Sequence, residues 1–246
     1  MLVWIRTAIL LRNFGCIALI FGAIAAAQEV TVSARIELMH AANAKTNQSG
    51  MGVFWLTPVG SSRGPLPAVK PNMAHPRLTQ HNKSFDPQLL VVPVGSVVEF
   101  PNRDPFFHNV FSLFEGKRFD LGLYEAGSMR TVRFDKPGIS YIFCNIHAEM
   151  SAVVIALTTP YYGISNQRGI VVIPDVPTGR YTLHVWYETA LPEALNSMTR
   201  EITISGDSSS LGTFKIPAAN LPPTHKNKYG EDYDPPAPDS PVYQHP

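Results

Sequence analysis

Three sulfur and nitrogen donors lie within the seven-residue segment Cys-Asn-Ile-His-Ala-Glu-Met at 144–150. Cys144, His147 and Met150 offer a thiolate, an imidazole and a thioether directly after a run of residues typical of a β-strand. Thiolate and thioether sulfur suit Cu(I), imidazole binds either oxidation state of copper, and a thioether is an unusual ligand for zinc. The spacing therefore predicts a copper site that can cycle between two oxidation states.

A copper site of this kind combines two imidazoles and a thiolate in a trigonal set with a weak axial thioether. The second imidazole must come from outside the 144–150 segment. His108 follows a turn-forming stretch, Asn-Arg-Asp-Pro at 102–105, where the chain enters a predicted strand. A β-sandwich exposes side chains at one end in this way, so we predict His108 as the fourth ligand. The histidines that lack such a setting are His40, His75, His81, His184, His225 and His245.

The first 27 residues have the pattern of a secretory signal. Arg6 and Arg12 precede an apolar run that ends in three alanines at 25–27, which predicts cleavage before Gln28. A permanent membrane anchor is the alternative, but the apolar run is shorter than the roughly 20 residues that a span requires. The residues before Cys16 match a lipoprotein signal poorly. We therefore expect a periplasmic or secreted protein with no integral membrane anchor after cleavage.

Removal of this signal changes the charge and the cysteine count. The formal charge goes from +1 to −1, because residues 1–27 carry two arginines and no acidic residue. Such a balance provides no strong field for nucleic acid. Cys144 becomes the only cysteine, which excludes an internal disulfide and leaves a buried bystander, an intermolecular link, a nucleophile or a metal ligand. A nucleophilic thiol needs a base oriented by a third group, which this segment lacks, so the metal ligand is favoured.

The rest of the sequence predicts an all-β protein, with one short helical turn near 192–197. The predicted strands are 30–38, 51–57, 89–100 with a break at 93–95, 108–114, 129–134, 139–144, 152–157, 169–173, 180–188 and 200–205. Strands 169–173 and 180–188 are predicted to form a hairpin through the turn at 174–179. In strand 139–144, alternation directs Cys144 inward and Tyr141 and Phe143 outward. Outward aromatic side chains need a cover, which we expect a second module to supply.

The segment from about Ser84 to Leu157 resembles a cupredoxin of the plastocyanin, pseudoazurin and amicyanin kind. The motifs that carry the resemblance are Phe85-Asp86-Pro87, Val94 to Phe100, Pro101 to Asp104, His108-Asn109-Val110 and Gly138 to Met150. It implies a Greek-key β-sandwich with one type 1 copper ion held by His108, Cys144, His147 and Met150. The short gap between His147 and Met150 resembles amicyanin most, although Ala148 stands where amicyanin-type loops tend to have proline.

The stretch Asp104 to Phe111 also resembles bacterial proteins of the methylamine-utilisation or plastocyanin-like type. In those proteins the cupredoxin accompanies a carboxypeptidase-regulatory-like sandwich of the transthyretin type, which 169–181 and 184–186 resemble. The implied domains are a signal peptide at 1–27, N-terminal strands and a linker at 28–75, the cupredoxin at 76–159, the rest of the second sandwich at 160–216 and a disordered Pro-rich tail at 217–246. An inserted cupredoxin and a plain tandem order both stay open.

Four protein donors leave a bound copper ion no vacant position, so we expect single-electron transfer and no enzyme activity. By the resemblance, His147 is the partly exposed edge through which electrons pass. Phe106, Phe107 and Ala148 are candidates for an apolar collar that docks a redox protein such as a cytochrome or dehydrogenase, although core packing explains the two phenylalanines equally well. The amide of Asn145 is expected to bond across to the loop that holds Asn109.

Two other functions compete with electron transfer. A copper-binding or copper-delivery module without a dedicated redox partner would use the same four ligands. A multicopper oxidase or copper nitrite reductase would need further histidine ligands, commonly beside the cysteine, where Phe143 and Asn145 stand instead. The sequence contains no His-x-His pair, which argues against these enzymes.

Overall fold

A computed structural model describes residues 28–39, 50–60, 75–113, 115–206, 210–217 and 225–233. These residues form an all-β protein with one short helix, as the strand pattern predicts. The predicted signal peptide at 1–27 and most of the predicted linker lie outside the described residues. None of the helices within the described ranges is long and apolar enough to cross a membrane.

The strands alternate with short turns along the chain. They are β1 (Glu29–Met39), β2 (Gly52–Pro58), β3 (Thr79–His81), β4 (Ser84–Asp86), β5 (Leu89–Pro93), β6 (Val97–Pro101), β7 (His108–Ser112), β8 (Phe119–Tyr124), β9 (Met129–Arg133), β10 (Gly138–Cys144), β11 (Ser151–Leu157), β12 (Tyr162–Ile164), β13 (Ile170–Pro177), β14 (Gly179–Tyr187), β15 (Arg200–Ile204) and β16 (Ser210–Pro217). The helix α1 spans Pro192–Met198, at the predicted helical turn.

The middle of the chain forms a two-layered sandwich. One layer is a five-stranded sheet in the order β5-β11-β10-β7-β8, and the other contains the pairs β3-β4 and β6-β9. Backbone hydrogen bonds from Leu78 to Glu99 and from Arg103 to Gln80 join these two pairs into one layer. Phe100, Phe134 and Ile142 are fully buried between the layers, in the core that also contains Cys144 and Met150.

Strands from the two ends of the described chain form a second region. The order β13-β1-β16 makes a three-stranded sheet, and β12-β2-β14-β15 makes a four-stranded sheet. Strands that precede residue 60 therefore pair with strands that follow residue 160. The strands between them pair among themselves. The second region has its own buried core, which includes Phe54, Leu183 and Trp186.

The two regions pack face to face through strand β11. Its sequence Ser-Ala-Val-Val-Ile-Ala-Leu is apolar after the first residue, as expected for a strand with both faces buried. Val154 faces the core of the sandwich that contains Cys144, whereas Ile155 faces the second region. Trp186 on β14 donates a hydrogen bond from Nε1 to the Tyr141 hydroxyl, at 3.3 Å. The second region therefore covers Tyr141, as we expected for one of the two outward aromatic residues.

One detail of the predicted fold is wrong. The strands β13 and β14 do not form a hairpin, because β13 pairs with β1 and β14 pairs with β2 and β15. Pro174 and Pro177 lack the N–H donors of a regular ladder, and Asp175 between them adopts a left-handed backbone with φ of 53°. Residues 225–233, which belong to the predicted disordered tail at 217–246, form a turn against the sandwich. Residues 218–224 and 234–246 lie outside the described part.

Candidate metal centre

The ends of two neighbouring strands bring the predicted ligands together. His108 begins β7 and Cys144 ends β10, and these strands pair with Cys144 opposite Val110. Along β10 the buried positions Ser140, Ile142 and Cys144 alternate with half-buried ones, so the period of two turns the thiol inward. The loop 145–150 then carries His147 and Met150 back over the same end of the sandwich.

Three of the four predicted donors converge on a small buried volume. The Nδ1 atoms of His108 and His147 each lie 3.5 Å from the Cys144 sulfur. The potential ligand atoms of these three residues all lie within 4.8 Å of one another, and all three side chains are buried. Met150 is 1% exposed and belongs to the same core as Cys144. All four predicted ligands are therefore at one end of one core.

The donor set fits copper in both chemistry and spacing. Metal bonds of about 2.0–2.3 Å to nitrogen and sulfur, at trigonal angles, separate the two donor atoms by roughly 3.5–3.8 Å. The observed separations of 3.5 Å agree with this range. Two imidazoles, one thiol and a nearby thioether are the residues of a type 1 copper site. Within the described residues, no other group of three or more His, Cys, Asp or Glu has metal-binding geometry.

His108 is oriented by a buried carboxylate that the sequence analysis missed. Its Nε2 lies 2.9 Å from Asp104 Oδ2, so an N–H at Nε2 donates to the carboxylate while Nδ1 faces the thiol. Such an outer partner sets the tautomer and the ring orientation of a metal-binding histidine. Burial lowers the pKa of His108 and outweighs the opposing effect of Asp104, so the imidazole is neutral. The sequence signal for this contact was the acidic residue four positions before His108, in the Asn-Arg-Asp-Pro stretch at 102–105.

The turn between β3 and β4 completes the surroundings of Asp104. Asn82 and Lys83 both adopt left-handed backbones, with φ of 53° and 52°. This geometry aims both of their N–H groups at the Asp104 carboxylate, at 2.6 and 3.1 Å. Burial alone would raise the pKa of Asp104, but hydrogen bonds from His108, Lys83 and Asn82 lower it below its usual value. The Asp104 carboxylate is therefore buried, and it accepts hydrogen bonds from all three of these groups.

The loop that carries His147 and Met150 is tied mainly by backbone hydrogen bonds. Cys144 N–H donates to the Met150 carbonyl at 3.2 Å, and Met150 N–H donates to the His147 carbonyl at 3.1 Å. Burial raises the pKa of the Cys144 thiol, against lowering by backbone N–H groups of Asn109, Ile146 and His147. The thiol is therefore protonated without metal, and metal binding must displace that proton.

His147 has a different environment from that of His108. Its ring packs against both the Phe106 and the His108 rings, with centroids 5.5 and 4.9 Å away, and those two rings also contact each other. Burial and the neighbouring His108 lower the pKa of His147 to about 4. The side chain is only 5% exposed, so the prediction of a partly exposed His147 edge is wrong. Phe106 is half-buried beside it and is the part of this group nearest to solvent.

The other predicted residues take several roles around the cluster. Phe107 is 51% exposed and Ala148 is half-buried, whereas Asn109 is buried. Asn109 accepts a hydrogen bond at its carbonyl from Asn145 N–H, at 2.8 Å. The predicted link between these two asparagines is therefore present, but it is formed by the main chain. The side-chain amide of Asn109 donates to Asp120 Oδ1 at 2.6 Å.

Residues 225–233, which we call the strap, lie against the outside of the ligand loop. His225 N–H donates to the Ala148 carbonyl at 3.2 Å, Lys228 N–H donates to Asn145 Oδ1 at 2.8 Å, and the Tyr233 hydroxyl donates to the Cys144 carbonyl at 2.6 Å. The His225 ring stacks on Phe143, with centroids 4.3 Å apart. The strap therefore covers Phe143, where we expected the second region. The only signals for this segment were isolated aromatic residues in a polar stretch.

The remaining histidines in the described ranges lie outside the donor cluster. His75 is 3.3 Å from Glu99, and His184 stacks on Trp55 at 5.0 Å as a packing residue. His81 lies 3.9 Å from the second oxygen of Asp104 and is largely exposed. His40 and His245 lie outside the described residues.

Comparisons with known proteins give partial likenesses. No family model matches the sequence, and the search of curated proteins gives no match. The chain is similar to a novel purple cupredoxin from Nitrosopumilus maritimus, at 21% identity over 33% of this chain and 99% of that one, with a TM-score of 0.31. It is similar to the Cu(I) form of a mutant of amicyanin, at 18% identity over 35% of this chain and 87% of that one, with a TM-score of 0.32.

A third similar structure is the copper-containing nitrite reductase NirK from Thermus scotoductus. The identity is 25% over 41% of this chain, and the TM-score is 0.33. The chain spans only 25% of the length of that enzyme. Likenesses with TM-scores of this size do not identify the site. Its identification depends on the geometry and the chemistry of the donor residues.

Proposed function

We propose that this protein is a type 1 copper protein that transfers single electrons between redox partners. The observation that carries the proposal is the buried cluster in which the Nδ1 atoms of His108 and His147 both lie 3.5 Å from the Cys144 sulfur. Met150, buried in the same core, would supply a thioether ligand. When bound, copper would supply a one-electron couple that the protein side chains cannot supply by themselves.

The protein contributes rigidity and exclusion of water. Asp104 holds His108 in the tautomer whose Nδ1 is free to bind metal. The loop hydrogen bonds hold His147 and Met150 in place with the thiol buried beneath them. Because the donors are already arranged in one buried core, they need little movement when the charge of the site changes, which favours rapid electron exchange.

The surface around Phe106 supports a docking role for the partner. Phe106 contacts both histidine rings, and Phe107 beside it is 51% exposed. We propose that electrons enter and leave through His147 and Phe106, and that Phe107 and Ala148 contact a redox protein such as a cytochrome or a dehydrogenase. Replacement of Phe107 by Ser should then slow electron exchange with such a protein while the absorption spectrum stays unchanged.

The proposed setting is the periplasm or the outside of the cell, after cleavage of residues 1–27. The proposed architecture is a cupredoxin inserted into a second sandwich of the carboxypeptidase-regulatory-like kind. The pairing of β1 and β2 with strands after residue 160 supports this order over a tandem one. Methylamine-utilisation proteins of the same organisation are the proposed relatives.

A copper-delivery role is the second candidate. It would use the same ligands but would transfer the metal itself. The depth of the cluster, with His108 at 0% and Cys144 at 0% exposure, favours retention of the metal over transfer. Mixing of the copper-loaded protein with a reduced cytochrome, and separately with a metal-free copper-binding protein, separates the two: electron exchange with copper retained supports the first function, and copper transfer without electron exchange supports the second.

The test of the copper site is a visible spectrum of the purified full chain with Cu(II). We expect an intense thiolate-to-copper charge-transfer band at one equivalent of copper. Cys144→Ser should abolish the band, whereas Ser140→Ala, four residues earlier on the same face of β10, should retain it. A wild-type protein that stays colourless with Cu(II) would exclude the proposed function.

A further inference from the structure

The strap 225–233 is joined to both sides of the donor cluster. Three of its hydrogen bonds reach the ligand loop, at the Cys144 carbonyl, Asn145 Oδ1 and the Ala148 carbonyl. These three contacts add to the backbone hydrogen bonds of the loop, such as that from Cys144 N–H to the Met150 carbonyl, and help to fix its path. Loop opening far enough to free Met150 and His147 would break them.

A single lysine extends this connection to the strand that carries His108. Lys228 Nζ lies 2.9 Å from Asp120 Oδ2 on β8. The other oxygen of Asp120 accepts from the side-chain amide of Asn109, the residue after His108, at 2.6 Å. Because Lys228 N–H also bonds Asn145, one residue of the strap bridges the two segments that supply the histidine ligands.

The strap is an ordered turn and not a chance contact of a loose chain. Asn227 Oδ1 accepts two backbone hydrogen bonds, from Tyr229 N–H at 2.9 Å and from Glu231 N–H at 3.0 Å. Asn227 N–H donates to the Glu231 carbonyl at 2.9 Å. Gly230 has a φ of 85°, which other residues adopt with strain. This turn holds His225 and Tyr233 together, with ring centroids 5.4 Å apart, where both face the loop.

Aromatic packing seals the outer face of the strand before Cys144. The His225 ring covers Phe143 and also contacts Phe111 on the neighbouring strand, with centroids 4.3 and 6.3 Å away. On the same side, the Tyr233 hydroxyl donates a hydrogen bond to the Cys144 carbonyl.

We propose that the strap is a retention device, which holds the ligand loop in its metal-binding conformation and slows the release of copper. The proposal rests on the proposed copper site. His225, Lys228 and Tyr233 are positioning residues, since they act through the loop and contact no donor atom of the cluster. If the strap acts in this way, loss of its contacts should raise the rate of copper release and should leave the ligands of the copper unchanged.

The test follows copper release from the full chain to an excess of a copper chelator. The signal is the decay of the thiolate-to-copper band. Tyr233→Phe should speed release by about fivefold, the effect of one lost hydrogen bond of about 1 kcal/mol, and should leave the band position unchanged. The double variant Tyr233→Phe with His225→Ala should release copper faster still. Release from the double variant at the wild-type rate would overturn the proposal.

Tyr181→Phe is the matched control. Tyr181 also donates from its hydroxyl to a backbone carbonyl, that of Pro177 at 2.7 Å, but it lies in the second region. It should lower the free energy of unfolding by a similar amount as Tyr233→Phe does, with copper release unchanged. Equal acceleration by Tyr181→Phe and Tyr233→Phe would mean that release follows overall stability, which also overturns the proposal.

Hydrogen exchange of the metal-free protein separates this proposal from the copper assignment. The amides of His225 and Lys228 should be protected in the wild type and should lose protection in the double variant. If the wild type shows no charge-transfer band, the proposed function fails and the exchange data still report on the strap. If the band forms but these amides exchange like those of an unfolded chain, the strap proposal alone fails.

Discussion

The two histidines of the donor cluster are held by different kinds of contact. His108 is fully buried and hydrogen bonded to the Asp104 carboxylate, which is itself held by two backbone N–H groups. His147 stands on a loop beside the Phe106 ring, and the loop is held by backbone hydrogen bonds and by the strap. A charge-assisted bond is about twice as strong as a neutral one. The His108 side is therefore the fixed half of the site, and the His147 side is the half that can open.

The largest expected effect comes from removal of the carboxylate on the fixed side. Asp104→Ala leaves the N–H groups of Asn82, Lys83 and His108 without the buried carboxylate that accepts from them. We expect a loss of about 3–5 kcal/mol in the free energy of unfolding of the metal-free protein, since each unsatisfied donor costs about 1–3 kcal/mol. Urea denaturation measures the loss. The exposed Glu125→Ala is the control, and a change of less than about 0.5 kcal/mol is expected there.

The pH dependence of the free energy of unfolding should come mainly from His147, on the side of the site that can open. The pKa of His147 is lowered to about 4 from 6.5 in the folded protein, so the unfolded chain binds more protons between these values. Stability is therefore complete above pH 6.5 and is lost as the pH falls toward 4, by up to about 3 kcal/mol.

Denaturation of the metal-free protein across this pH range, with His147→Gln as the comparison, tests this assignment. The variant should have a flatter profile than the wild type, with the remaining slope due to His108, whose pKa is also lowered by burial. Parallel profiles for the two proteins would show that His147 does not carry the effect.

A reduction potential measures the electrostatic difference between the two sides. The negative charge of Asp104, bonded to His108, stabilises the more positive oxidised site. Asp104→Asn should therefore raise the reduction potential by roughly 60 mV, a tenfold change in the one-electron equilibrium. Glu149→Gln is the control on the loop, because its exposed carboxylate is screened by water and should change the potential less. A larger shift for Glu149→Gln would reverse the comparison.

The smallest effect is expected away from both sides of the donor cluster, at the contact between Tyr141 of the sandwich and Trp186 of the second region. Tyr141→Phe removes the hydroxyl that accepts from Trp186 Nε1 and keeps the ring. We expect a loss of about 1 kcal/mol in the free energy of unfolding and an unchanged charge-transfer band. A bleached band in this variant would mean that the second region shapes the copper site, which the separate cores do not indicate.

Local pattern was sufficient to predict much of the fold. Apolar alternation predicted the inward direction of Cys144 on β10, since side chains alternate with a period of two. The strands missed, such as β8 with Phe119–Tyr124 and β16 with Ser210–Pro217, are interrupted by glycine and polar residues that hide the alternation. The hairpin between β13 and β14 was wrong because a turn signal indicates where a strand ends and does not indicate which strand it pairs with.

The donors Cys144, His147 and Met150 could be predicted because they lie in one short segment, and His108 because a turn precedes it. Asp104 and the strap could not be predicted in the same way. The bond from Tyr233 to the Cys144 carbonyl spans 89 residues, and the strap sequence is polar, which by composition alone resembles a disordered tail.

The chain thus carries its metal chemistry in the types and spacing of a few residues, because ligand identity is a local property. The support for that chemistry depends on contacts between distant segments, whose energy is gained only once the sandwich has folded. Burial gives those contacts their strength, because a hydrogen bond to a carboxylate or carbonyl is worth more where water is excluded. The fixed side at His108 and the strapped side at His147 are both products of that packing.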